Sequence, residues 1–125
     1  MPANTIALLT VALASQPAVA QAFTEQASTV SPGNNFDWGA DVGLYVRNTT
    51  AGALDITFEA HVVGAERTVG VSSIPGSGTA HGVKIFSGFP LDWTDHGGVD
   101  QGKIYVRAAG TNGQIVFCPF VIKRG

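Results

Sequence analysis

Leu44-Tyr45-Val46-Arg47 recurs later in the chain as Ile104-Tyr105-Val106-Arg107. Each copy is followed by a short turn rich in Gly, Asn and Thr and then by a second apolar run, Leu54 to Val63 in one case and Gln114 to Ile122 in the other. In an extended chain successive side chains point to opposite faces. Leu44 and Val46 therefore share one face and Tyr45 and Arg47 the other, and Ile104 and Val106 divide from Tyr105 and Arg107 in the same way. In the run that follows the first copy, Ile56, Phe58, Ala60 and Val62 alternate with Thr57, Glu59 and His61, the pattern of a strand with one dry and one wetter face. The run after the second copy is apolar on both faces, Val116, Cys118, Phe120 and Ile122 interleaving with Ile115, Phe117 and Val121, so it needs cover on both sides. The spacing predicts two β-hairpins, with the rest of the chain arranged around them.

Short apolar runs bounded by turn residues, with 16 glycines in 125 residues, favour an all-β fold over helices. The length suits one domain with one core. The expected architecture is a single β-sandwich, jelly-roll-like or Ig-like, over residues 23–125, preceded by an N-terminal arm or first strand over residues 1–22. Seven basic against nine acidic residues give a net charge of −2, and no basic cluster offers a phosphate-backbone footprint, so nucleic acid is not an expected partner. Only 13% of residues are charged, against about 25% in an average soluble domain. A surface so short of charge is expected to be covered in part by another protein.

The stretch from Ile6 to Ala14, followed by Pro17-Ala18-Val19-Ala20-Gln21-Ala22, has the outline of a secretory signal. No Lys or Arg precedes it, however, and it is about half the length that spans a bilayer. It reads instead as a retained arm or strand packed on the body or on a neighbouring subunit, and no membrane partner is expected. Asn48-Thr49-Thr50 matches a glycosylation sequon but reads as turn chemistry. Cys118, the single cysteine, lies inside an apolar run and reads as a buried hydrophobe.

Leu91 to Gly102 is the longest turn-like stretch, and Asp92, Asp95, His96 and Asp100 make it the one place where metal ligands could gather. The spacing fits neither an EF-hand nor a zinc site, and a solvated loop has the same composition. No metal or other cofactor is expected. Trp38 and Trp93 could stack on a sugar, anchor an interface or cap the open end of the core. His61 and His81 have no nucleophile elbow or carboxylate pair beside them in sequence, so no catalytic residue is assigned and an enzyme is not expected.

Gln21-Ala22-Phe23-Thr24, Asn35-Phe36, Gly43-Leu44-Tyr45-Val46-Arg47-Asn48, Arg67-Thr68-Val69, Ile74-Pro75-Gly76, Gly88-Phe89-Pro90 and Gly102-Lys103-Ile104-Tyr105-Val106, taken in order, resemble small structural proteins of tailed bacteriophages, among them capsid decoration (cement) proteins. The resemblance runs from about residue 20 to residue 122. It implies a β-sandwich bound to the outside of the phage head, with the major capsid protein and copies of itself as partners, assembled in the bacterial cytoplasm and located on the virion exterior. The residues expected to make those contacts are Ile6, Leu8, Leu9, Val11, Leu13 and Val19 of the arm, the pairs Tyr45/Arg47 and Tyr105/Arg107, and Trp93. On that reading residues 1–20 could be removed with loss of head binding and no loss of the β fold. The alternative is a carbohydrate-binding module or phage fibre tip domain using Trp38, Trp93 and the loop acids.

Overall fold

A computed structural model describes residues 4–13, 24–62, 65–95 and 101–124. Among them, ten strands run in order: β1 (Asn4–Thr5), β2 (Leu9–Leu13), β3 (Gln26–Ala27), β4 (Asn34–Asp37), β5 (Val42–Asn48), β6 (Leu54–Val62), β7 (Ala65–Ile74), β8 (Val83–Ser87), β9 (Lys103–Ala108) and β10 (Ile115–Arg124). They form an all-β sandwich of two five-stranded sheets. One has the order β1-β4-β9-β6-β7. The other has the order β2-β10-β5-β8, with β3 also paired to β10. No described helix is long and apolar enough to cross a membrane.

The face assignments read from the alternation hold. Leu44, Val46, Ile56, Ile104, Val106, Ile115 and Phe117 are fully buried, with Phe58 and Ala60 nearly so, and all but Ala60 belong to one core cluster with Phe36 and Ile74. The pairing does not hold. β5 does not form a hairpin with β6, nor β9 with β10. Instead β5 pairs antiparallel with β10, Val46 opposite Phe117, and β6 pairs antiparallel with β9, Phe58 opposite Val106. Each repeat unit is an arch that leaves one sheet and enters the other, and the two arches exchange partners.

The reason is burial. A hairpin would set Leu44/Val46 and Ile56/Phe58 side by side on one face of a single sheet, still in need of cover. An arch turns one apolar face onto the other and buries both. The first turn is built by Asn48, which is fully buried. Its amide nitrogen donates to the Gly52 carbonyl at 2.8 Å and to the Ile74 carbonyl at 3.2 Å, while its oxygen accepts from the Thr50 N–H at 2.9 Å and the Thr50 hydroxyl at 2.7 Å. The two turns also join, the Thr49 N–H and hydroxyl both donating to the Gln114 carbonyl.

The N-terminal segment belongs to both sheets. β1 runs parallel to β4 and β2 parallel to β10, so residues 6–8 cross from one sheet to the other and close that side of the sandwich. Ile6 makes the crossing as a core residue, 3% exposed, with its N–H donating to the Asn35 carbonyl at 2.9 Å. The expected removal of residues 1–20 without loss of fold does not fit this arrangement, because it would strip an edge strand from each sheet. Pro119 sits in the gap on β10 between the β3 ladder at Val116–Phe117 and the β2 ladder from Phe120 onward. That edge has no rung there for a missing N–H to break.

Replacing Ile6 with Ala should therefore cost about 2–4 kcal/mol in denaturant unfolding, the range for emptying a buried aliphatic site. An effect near zero would place the segment outside the cooperative fold.

Candidate functional site

The sequence places its candidate contact groups on the outer faces of the two sheets, and on both faces the chain's own connecting segments engage them. Tyr45 and Arg47 project from the outer face of β5. The segment 24–28 runs along the edge of β10 away from β5, held there by the β3 ladder, by Gln26, whose side-chain amide bonds both backbone groups of Ala7 at 2.8 and 2.9 Å, and by the Ser28 N–H on the Ile115 carbonyl at 3.0 Å. Glu25 thereby reaches Arg47 through two hydrogen bonds, 2.5 and 2.8 Å, and accepts the Tyr45 hydroxyl at 3.0 Å. The Arg47 hydrogen bonds hold the Glu25 carboxyl below its ordinary 4.5, against the opposing pull of partial burial and with a smaller contribution from Tyr45. Beneath this strap lies Cys118, fully buried. Burial pushes its thiol up, and a backbone hydrogen bond with Thr24 acts the other way. The strap is the cover that the doubly apolar β10 requires.

On the outer face of the other sheet, Tyr105 is only 3% exposed. Its hydroxyl donates to the Pro32 carbonyl, and Gly33, at φ +95°, lies so close that a Cβ there would run into the phenol ring. Arg107 donates to the Val30 carbonyl at 3.2 Å, stands over the Tyr105 ring at 5.4 Å and approaches Glu59 at 3.7 Å. Next along β6, the His61 ring packs on Tyr105 with centroids 4.4 Å apart. Its Nδ1 lies 3.3 Å from Asp95 and its Nε2 3.5 Å from Glu59. Asp95, 3% exposed, also accepts the His61 backbone N–H at 2.8 Å. An aspartate against a histidine is two-thirds of a hydrolytic triad, but Nε2 here faces a carboxylate, which cannot serve as the hydroxyl nucleophile a triad activates. The row Asp95, His61, Glu59, Arg107 ties β6, β9 and the 94–95 turn together.

The metal candidates divide in the same way. Asp95 is turned to His61, Asp92 is exposed on the 3-10 turn Leu91–Trp93, and His96 and Asp100 lie outside the described residues. Among the described residues no three His, Cys, Asp or Glu side chains converge. Of the arm residues, Ile6 is core, Leu8 and Leu9 are half-buried, Val11 and Leu13 lie on β2 opposite Ile122 and Arg124, and Val19 lies outside the described residues. Trp38 donates from its indole N–H to the Phe89 carbonyl at 2.7 Å and packs on the core.

Trp93 leads to the feature that the sequence does not announce. On the side of the sandwich away from the N-terminal crossing, β7 and β8 are the last strands of their sheets and leave a seam between them. In it is a hollow of ≈ 340 Å³ lined by Phe58, Gly70, Phe86, Phe89, Pro90 and Trp93 among others. Phe58 is its centre, with ring centroids 5.5 Å from Phe86, 5.4 Å from Phe89 and 5.6 Å from Trp93. Trp93 can lie there because residue 70 is glycine; a Cβ would meet its ring at 2.9 Å. The large apolar side chains most open to solvent are Val71, Ile85 and Leu91. Val71 lines the hollow and Leu91 follows Pro90 at its rim, whereas Ile85, opposite Tyr45, stands exposed on the outer face of β8. Alternation in Val83 to Phe86 allows either pair to face inward; the structure selects Lys84 and Phe86, opposite Val46 and Leu44. The sequence signal available for the seam was that alternation together with the cluster of Phe86, Phe89 and Trp93.

No protein-family model, curated protein or solved structure matches the chain.

Two measurements test the faces. A carboxylate whose folded-state pKa is depressed stabilises the fold above its unfolded value and loses that contribution as pH falls through the folded one. Glu25→Gln should therefore lower Tm by about 2–4 °C at pH 7, in keeping with a part-exposed pair. The gap from the parent should close as pH is taken below 4.5, while thiol reagents reach Cys118 faster in the variant. Asp95→Ala, which strands the His61 N–H and removes the partner of its ring, should cost about 1–3 kcal/mol in denaturant unfolding. An unchanged midpoint would show that the charge row does not hold the 94–95 turn.

Proposed function

We propose that this is a structural virion protein, a capsid decoration protein that binds the outside of a tailed-phage head and stabilises the shell, with the major capsid protein and neighbouring copies of itself as partners. One observation carries the reading. On a chain so poor in charge, the Tyr/Arg pairs of the two outer faces are engaged by its own connecting segments, and the exposed apolar side chains Val71 and Leu91 stand at an aromatic hollow on an unpaired seam. Such a surface suits lasting contact with another protein. The likeness of the sequence to phage decoration proteins supplies the identity of that partner.

The mechanism is linkage. A protein that binds the assembled shell and not its loose subunits lowers the free energy of the assembled state by RT ln(1 + [L]/Kd) at each site, about 2.7 kcal/mol when free protein is a hundredfold above Kd. No bond is made or broken, and nothing beyond a rigid, complementary surface is required. The sandwich supplies rigidity through the buried Asn48 of its first arch and its stapled edge. The glycan reading loses ground on the tryptophans: Trp38 packs on the core with its indole N–H on the Phe89 carbonyl, and Trp93 lines a hollow walled mainly by phenylalanines, poor in groups to bind hydroxyls.

Purified protein mixed with undecorated heads of the phage whose genome carries the gene should co-sediment with them saturably and raise their disruption temperature. Failure to co-sediment with intact heads would refute the reading, and binding to free capsid subunits as tightly as to heads would remove its mechanism.

A further inference from the structure

The seam has a property that hydrophobicity alone does not explain. Arg47, Lys103 and Arg107 each meet a carboxylate within 4 Å: Glu25, Asp37 and Glu59. Lys84 and Arg67, the basic residues of β8 and β7, meet none among the described residues. Lys84 Nζ donates to the Ser72 hydroxyl at 3.1 Å across the seam, and Arg67 makes one long hydrogen bond, 3.5 Å, to the Asp92 backbone carbonyl, with no ion pair to that exposed aspartate. Lys84 thus stands where Ser72 and Phe86 border the hollow, and Arg67 at the Trp93 end. Arg67 and Ser72 are separated along β7 by about 17 Å, at about 3.3 Å per residue.

β7 and β8 each have a strand neighbour on one side only among the described residues, so their outer edges offer main-chain donors and acceptors beside the hollow. Natural edge strands of this length are usually blunted or covered, and a sheet edge next to an apolar pocket is the arrangement that takes up an extended peptide. Beside the indole N–H of Trp93 the polar side chains in the lining are Ser72 and Ser87, too few to hold a glycan by its hydroxyls. A cation at each end, neither neutralised, calls for an anionic group at each end of the occupant.

We propose that the seam between β7 and β8 is a docking groove for an extended, acidic segment of a partner protein, one apolar side chain of which fills the Phe58/Phe86/Trp93 hollow while flanking carboxylates meet Lys84 and Arg67. The segment has an aromatic or branched aliphatic residue with an Asp or Glu about two residues to either side. The identification of the partner as the capsid rests on the reading above; the chemistry of the groove does not.

The test uses the full chain, ¹⁵N-labelled, titrated with the peptide acetyl-TEVFVET-amide and with acetyl-TKVFVKT-amide. The acidic peptide should shift the amides of Gly70 to Ser72 and Phe86 to Gly88 saturably, and the basic one should bind about tenfold more weakly. In Lys84→Glu/Arg67→Glu, both exposed positions whose exchange leaves the core intact, that preference should invert. No shifts at the seam, equal binding of the two peptides, or an unchanged preference in the variant would overturn the proposal. So would a concentration-dependent dimer of the free chain occupying the same amides, or binding of neutral glycans there in preference to peptide. Head co-sedimentation separates the two readings. If wild type binds heads and the charge-reversed variant binds them equally, the groove is not the docking site. If the acidic peptide binds but heads do not, the capsid reading fails and the groove stands.

Discussion

The structure depends on the exchange of partners between two arches. Because β5 pairs with β10 and β6 with β9, neither repeat unit can complete a sheet alone, and each contributes one strand to each layer. The apolar faces of Leu44/Val46 and Ile104/Val106 are then opposed across the interior rather than laid side by side. The arch turns must bury polar backbone where the chain changes sheet, and Asn48 answers that requirement with four hydrogen bonds from one fully buried amide. The pairing of distant segments makes the fold non-local, and slow folding relative to a meander of the same size is the kinetic consequence.

From that arrangement follows an asymmetry between the two sides of the sandwich. On one side the N-terminal segment crosses between the sheets at Ile6 and closes the gap. On the other, β7 and β8 end their sheets, and among the described residues the Lys84–Ser72 hydrogen bond is the one that spans them. The Tyr/Arg pairs of the outer faces are committed as well, one to Glu25 and the other to the segment that receives Tyr105 and Arg107. What is left for a partner is the open side. Of the contact groups favoured by residue type, Ile6 and the Tyr/Arg pairs are engaged within the chain. The reading as a capsid-binding protein therefore moves from those groups to the seam.

Much of the fold was legible in the alternation of the strands. The inward set Leu44, Val46, Ile56, Phe58, Ile104 and Val106 follows from a period of two, and the need for cover on β10 follows from its two apolar faces. Strand partners were not legible, because alternation says which face is dry and is silent on which strand lies alongside. A turn of five or six residues serves an arch as well as a hairpin. The buried Asn48 was the available clue, since a hairpin turn leaves such an amide in water. The fate of Tyr45 and Arg47 turned on Glu25, a residue whose only sequence feature is its charge, placed by a strap whose path depends on β10. The aromatic hollow was legible only as the cluster Phe86, Phe89 and Trp93; that Phe58, from a distant strand, stands at its centre follows only once the arches have set the two sheets.

The central claim is that the protein meets its partner through the open side and not through its faces. Hydrogen–deuterium exchange of the protein bound to phage heads, compared with the free protein, reads this directly. The account predicts new protection over residues 67–72 and 84–90, with β2 and the strap at residues 24–28 unchanged. Protection confined to β2 and the strap, with the seam exchanging as in the free chain, would contradict it.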